Sequence, residues 1–166
     1  MPMSVPIRIG HGYDAHRFTE PGSSSRPLVL GGVTIPHDQG LEAHSDGDVL
    51  IHALCDALLG AIAAGDIGRH FPDTDPAYKN VDSAILLKLV CQTVRDAGWQ
   101  PGNADITVLA QMPRMSPHVV AIKDRLADIT GMAPEAINIK ASTTEGMGFV
   151  GRREGISVHA VVLVHQ

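Results

Sequence analysis

The chain has 166 residues, 44% of them hydrophobic and 19% charged, which suits one globular domain with a full core spanning 1–166. Its net charge of -5 argues against a general nucleic-acid binder, which would carry a basic patch, yet leaves room for an anionic small substrate met by a metal or local cations. No uncharged apolar run reaches the roughly 18 residues that span a bilayer, and MPMSVPIRIG lacks the basic-then-apolar order of a signal peptide, so a cytoplasmic protein away from membranes is expected.

VPIRI reads as a first strand running into RIGHGYDAHRF. Asp14 and His16 stand at i and i+2, so on an extended segment both point to one side. Two readings stand: a polar turn with an exposed histidine, or a strand delivering two ligands to one place. PLVLGGVTIP is two short apolar runs around Gly31-Gly32, a two-residue hairpin signal. HSDGDVLIHALCDALLGAIAAG is the clearest helix. Ser45 or Asp46 is its expected cap, Leu50, Leu54, Leu58 and Ile62 form its apolar stripe, and Gly65 is its expected stop.

Asp48, His52 and Asp56 recur every four residues along that helix, while almost every other position is apolar. The helix is therefore expected to be mostly buried, and a buried polar stripe needs partners. Asp14, His16 and His52 make a two-histidine, one-carboxylate set suited to zinc with an open fourth position. Asp56 either orients the His52 imidazole or is paired elsewhere; the second reading is preferred.

GDIGRHFPDTDPAY is a polar loop in which Asp73 and Asp75 either bind sugar hydroxyls or shape a turn. A second helix is expected from Asp82 to Ala97, stopped by Gly98, and ADITVLA is a strand. SPHVVAIKDRLADITG is a third helix, with Ser116 as cap, Pro117 in the first turn and Gly131 after the last. AINIKAS and ISVHAVVLV are strands, the latter apolar enough to be buried on both faces. The fold class is α/β: a mixed sheet with helices packed on one face and a small N-terminal hairpin. Cys55 and Cys91 form no CxxC pair and read as buried thiols. Nine histidines raise the expectation of a metal or proton-transfer site, but His37, His118, His159 and His165 are read as surface or packing residues.

The loop ASTTEGMGFVGRREG carries hydroxyls on Ser142, Thr143 and Thr144, and Gly146, Gly148 and Gly151 keep its backbone accessible. Glu145 is a hard oxygen ligand of the Mg²⁺ type, and Arg152 and Arg153 suit phosphate. The alternative is a flexible glycine-rich loop.

Five blocks, in order, carry a resemblance: IGHGYDAHRF, LEAHSDGDVLIHALCDALLGA, GDIGRHFPDTDP, AQMPRM and ASTTEGMGFVGRREGI. Over nearly its whole length the chain resembles the 2-C-methyl-D-erythritol 2,4-cyclodiphosphate synthases of the non-mevalonate route to isoprenoids. The resemblance implies a lyase that turns 4-diphosphocytidyl-2-C-methyl-D-erythritol 2-phosphate into the 2,4-cyclodiphosphate and CMP. It also implies a homotrimer with active sites at subunit interfaces. It puts a zinc ion on Asp14, His16 and His52, and Mg²⁺ or Mn²⁺ near Glu145. His44 and Thr143 fall on its transition-state-stabilising positions, with Ser45 beside the first. Asp66, Ile67 and Gly68, with Phe71, Pro72, Asp73, Thr74 and Asp75, match its methylerythritol-binding segment. Ala110, Gln111, Met112, Pro113, Arg114, Met115 and Ser116 match its cytosine-binding segment; Ser142, Thr143, Thr144 and Glu145 match its diphosphate segment. Phe149 and Arg152 match residues near the trimer's central cavity.

Two departures are visible: Ser142 stands where the family usually has threonine, and Arg114 where it often has lysine. On this reading Gly10 and Gly12 let the strand end come close to the ion and the substrate phosphates. Two competing functions use the same residues: a metal-dependent hydrolase of nucleotide diphosphates, and a non-catalytic trimeric binding module.

Overall fold

The structure, a computed structural model, describes residues 6–23 and 26–166; Val5 of the expected first strand lies outside the described residues. Four strands form one sheet in the order β1 (Ile7–Arg17), β6 (Gly155–His165), β4 (Gln100–Leu109), β5 (Ile137–Ser142). β6 is antiparallel to both neighbours, whereas β4 and β5 are parallel, so the sheet is mixed. The parallel pair is joined by α4 (Val119–Thr130), the crossover that such a pair requires. A separate antiparallel pair, β2 (Leu28–Leu30) and β3 (Val33–Ile35), turns at Gly31-Gly32, both with positive φ.

Register sets the two faces of the sheet. Gly12, Ala160, Ile106 and Ile139 lie in one row across the four strands, and Gly10, Val162, Ala104 and Ile137 in another. These rows are buried beneath α1 (Val49–Ala61), α3 (Ser83–Asp96) and α4. The alternate row, Tyr13, His159, Thr107 and Lys140, faces away. β6 is therefore not buried on both faces as its composition suggested: Ile156, Val158, Ala160, Val162 and Val164 are buried, but Val161 on the other face is 43% exposed. The helices sit on one face, and the opposite face of the single chain stays open.

Helix α1 lies directly on β1, and the glycines explain how. A Cβ built on Gly12 would stand 1.8 Å from the Ala53 carbonyl oxygen, and one on Gly10 1.9 Å from that of Ala57. The glycines thus serve backbone contact between strand and helix, not approach to an ion, correcting the sequence reading. Asp14 and His16 continue the same face of β1 toward α1.

The ends of α1 also differ from expectation. Asp48, not Ser45 or Asp46, is the N-cap, and the helix ends at Ala61 rather than running to Gly65. The reason is tertiary. The buried Asp48 carboxylate accepts from the amides of Ile51 (3.0 Å), Gly31 (2.9 Å) and Gly32 (2.7 Å), so it fixes the hairpin turn to the helix start. Burial pushes its pKa up to about 6 despite these three bonds. Asp48→Ala leaves three amides without their acceptor and should cost about 3 kcal/mol or more in urea unfolding.

The remaining elements match in part. α3 starts after its cap Asp82, whose side chain accepts from the Ala84 amide, and the chain turns at Gly98. Ser116 does not cap α4: residues Ser116–His118 form a 3₁₀ turn, and α4 begins at Val119. Gly131 closes α4 in the left-handed conformation, as expected. The polar loop after α1 contains a short helix, α2 (Ile67–His70), and a 3₁₀ turn at Pro76–Tyr78. The glycine-rich loop contains another, α5 (Gly148–Gly151). Both cysteines are buried and free.

Candidate active site

β1 and α1 bring three side chains to one point. Asp14 Oδ2 lies 2.9 Å from His16 Nε2 and 3.2 Å from His52 Nδ1, and the two ring nitrogens are 3.2 Å apart. One ligand atom from each residue lies within 4.8 Å of the others, the one such group of three or more among the described residues. His16 Nδ1 donates to the Glu42 carbonyl at 2.8 Å, which leaves its Nε2 lone pair facing the cluster. Burial pushes the Asp14 carboxyl up, but the His16 and His52 imidazoles beside it outweigh burial and hold the pKa at about 2. Burial pushes His16 down, but Asp14 and the Glu42 carbonyl outweigh it and raise the imidazole above its ordinary value. Two imidazole nitrogens and a carboxylate oxygen, converging and oriented from behind, fit a zinc-type cation.

The cluster opens into a cleft of about 360 Å³. His16 and His52 line it together with His44, Ser45, Ile67, Gly68, Phe71, Pro72 and Asp73. Most of the expected methylerythritol segment therefore meets the expected metal ligands. Asp66 and Asp75 instead cap turns: Asp66 accepts from the Arg69 amide at 3.0 Å and Asp75 from the Ala77 amide at 2.9 Å. Thr74 is exposed beside them. Asp56 is paired elsewhere, as preferred from sequence, accepting from the Ile67 amide at 2.8 Å and so joining α1 to α2.

A second cleft, of about 380 Å³, is lined by Ala110, Gln111, Met112, Pro113, Arg114, Met115 and Ser116 with Ala141, Ser142 and Thr143. The Met112–Pro113 peptide is cis. Gln111 Oε1 accepts from the Thr144 amide at 3.0 Å, tying the hydroxyl loop to this segment. Glu145 is exposed, with a left-handed backbone at φ 54°. The two clefts share no lining residue; Thr143 and the expected cytosine-binding segment line only the second. Phe149 lines a third, smaller hollow with Ala15, His16 and Arg17, and Arg152 pairs with Glu154 at 2.9 Å.

Sequence reading passed over two groups behind His52. Its Nε2 lies 2.9 Å from Ser83 Oγ, at the start of α3, and Ser83 bonds in turn to Asp46. Ser83 is 31 residues away, and no local pattern marks a buried serine beginning a helix as a partner of His52.

The match to the YgbB family model runs over residues 7–165, nearly the whole chain. The chain belongs to the YgbB family. A YgbB relative from Thioalkalivibrio sulfidiphilus, named 2-C-methyl-D-erythritol 2,4-cyclodiphosphate synthase, is 60% identical over 158 residues, covering 95% of this chain and 96% of that protein. The bifunctional IspDF from Campylobacter jejuni superposes with a TM-score of 0.90 at 45% identity, covering 96% of this chain. This chain spans 42% of that bifunctional protein's length. The Plasmodium falciparum IspF in its CDP complex superposes with a TM-score of 0.83 at 32% identity, covering 98% of both chains. No helix of the YgbB chain is long and apolar enough to cross a membrane among the described residues.

Proposed function

We propose that the chain is one cyclodiphosphate synthase domain of the non-mevalonate isoprenoid route, working in the cytoplasm. It converts 4-diphosphocytidyl-2-C-methyl-D-erythritol 2-phosphate to 2-C-methyl-D-erythritol 2,4-cyclodiphosphate and CMP. One observation carries this reading in a YgbB chain: Asp14, His16 and His52 converge at a cleft shared with His44, Ser45 and the Ile67–Asp73 segment.

In this reaction an oxygen of the 2-phosphate attacks the β-phosphorus. The bond from that phosphorus to the α–β bridging oxygen breaks, and CMP leaves with that oxygen. The nucleophile is already an anion, so no strong base is needed; the difficulty is to press two negative groups together. Catalysis is then mainly positioning and charge neutralisation. When bound, a zinc ion on Asp14, His16 and His52 and a Mg²⁺ or Mn²⁺ ion near Glu145 supply that neutralisation. His44 and Thr143 donate hydrogen bonds to the transferring group. The cleft walls at Ile67, Gly68, Phe71 and Asp73 hold the methylerythritol, with Asp66, Pro72, Thr74 and Asp75 shaping that wall. Holding the ends near attack geometry lowers the barrier by roughly 7–11 kcal/mol at best.

The chain works as a homotrimer whose sites are completed across subunit interfaces. Two observations support this. The cleft lined by residues 110–116 and Thr143 shares no lining residue with the cleft beside Asp14, His16 and His52. The open sheet face also exposes apolar side chains, Ile9 at 73% and Val161 at 43%. Phe149 and Arg152 lie toward the central cavity of that assembly. Chelator-treated protein given the substrate should release no CMP, and added zinc and magnesium should restore release. CMP release that survives metal removal would contradict the proposal.

A further inference from the structure

The metal ligands are backed in two different ways. His16 rests on a backbone carbonyl, which fixes its tautomer through one bond. His52, only 7% exposed, rests on side chains. Its Nδ1 faces Asp14 and His16, and its Nε2 faces Ser83 Oγ at 2.9 Å and Ser45 Oγ at 3.2 Å.

Donor and acceptor accounting shows what the groups behind Nε2 ask of the ring. A carboxylate offers acceptors only. Asp46 Oδ2 accepts from the Ser83 amide at 2.9 Å, and Asp46 Oδ1 accepts from the Ser83 hydroxyl. Asp46 Oδ1 also takes the Asp48 amide at 3.0 Å, which anchors the carboxylate to the residue that caps α1. Ser83 is fully buried, so its one hydroxyl proton is committed to Asp46 and its oxygen presents a lone pair to His52. A bare Nε2 there would face that lone pair at hydrogen-bond distance without a proton between them. Ser45 Oγ already accepts from the Gly47 amide at 3.3 Å, so it too can serve as an acceptor for an Nε2 proton. This side of the ring therefore calls for a proton on Nε2, which leaves Nδ1, 3.2 Å from Asp14 Oδ2, as the nitrogen that ligates when a cation takes its place between them.

We infer that Asp46 and Ser83 are positioning residues that orient His52 from behind and take the Nε2 proton of the ring whose Nδ1 ligates. They join the segment ahead of α1 to the first turn of α3 behind the imidazole, so the third ligand is set by two elements that never touch the ion. The inference rests on the metal reading of Asp14, His16 and His52 given above.

Two readouts test it apart from turnover. The first is long-range nitrogen–proton NMR of the zinc-loaded protein. The wild-type chain should show His52 as the Nε2–H tautomer. The second is zinc affinity, by competition with a chromophoric chelator. Ser83→Ala should weaken zinc about 10–100-fold. Ser83→Thr, which keeps the hydroxyl, should recover most of that loss, whereas a serine needed only for packing would give no such rescue. Asp46→Asn should weaken zinc in the same direction. A wild-type Nδ1–H tautomer would overturn the inference without any variant having to fold. Ser83→Ala with unchanged zinc affinity would overturn it while leaving the metal site intact. A wild-type chain that takes up no zinc would overturn the metal reading and the inference with it.

Discussion

His52→Ala should lower CMP release by about 10³-fold or more and abolish zinc uptake at neutral pH. The ligand set has three members from two elements, and His52 is the one that joins α1 to β1 in the cluster. Charge stabilisation by a bound cation is worth several kcal/mol in phosphoryl transfer, and about 4 kcal/mol corresponds to roughly three powers of ten in rate. Removing a buried imidazole also takes the His52 contact from Ser83, which adds a structural cost to the chemical one. Asp14→Asn separates the two. It keeps the side chain's volume on the half-exposed strand face, yet removes the anion that His16 and His52 both contact. Both variants should lose activity to a similar degree, while Asp14→Asn keeps a thermal midpoint close to the parent. Turnover within about tenfold of the parent in both would mean that the cluster is not part of the reacting site.

Gly12→Ala should be the most damaging single methyl group that can be added to this fold. The new Cβ would stand 1.8 Å from the Ala53 carbonyl oxygen and 2.7 Å from the Ala57 amide nitrogen, both backbone atoms that no rotamer change can move. The strand or the helix must shift, and overpacking of this kind costs about 3 kcal/mol or more. The shift has a functional consequence, because β1 carries Asp14 and His16 while α1 carries His52. Any separation of the two widens the ligand cluster. Gly60→Ala is the internal control. It sits in α1, and the nearest atom its Cβ would meet outside the helix backbone, the His11 carbonyl oxygen, is 3.9 Å away, so it should be neutral or stabilise by up to about 1 kcal/mol. Urea unfolding measures the stability difference, and zinc titration of whatever Gly12→Ala protein folds measures the widened site.

Part of the fold and of the candidate site is legible in the sequence, where the deciding contacts are local or periodic. Asp14 and His16 are two apart on a strand, and the helix-borne His52 stands amid apolar neighbours; period and burial made the three candidates, and the family resemblance put them on one ion. Gly31-Gly32, Gly98 and Gly131 announced turns because few other residues tolerate a positive φ there. What escaped depends on partners distant in the chain. Asp48 looked like a member of the polar stripe, but its carboxylate is taken by amides of the hairpin. Gly10 and Gly12 looked like room for a ligand, but the room is filled by the backbone of α1. Ser83 carried no local signal at all, since its meaning lies in Asp46 and His52. The apolar run of β6 spoke for burial on both faces, yet a single chain covers only one.

The central claim is that the nucleophile is the substrate's own 2-phosphate rather than water. Turnover in water labelled with heavy oxygen, followed by phosphorus NMR and mass spectrometry of the products, tests it most directly. Cyclisation requires CMP and a cyclic diphosphate, neither carrying solvent oxygen. Linear phosphates bearing the heavy label would contradict it and make the chain a hydrolase built on the same ligands.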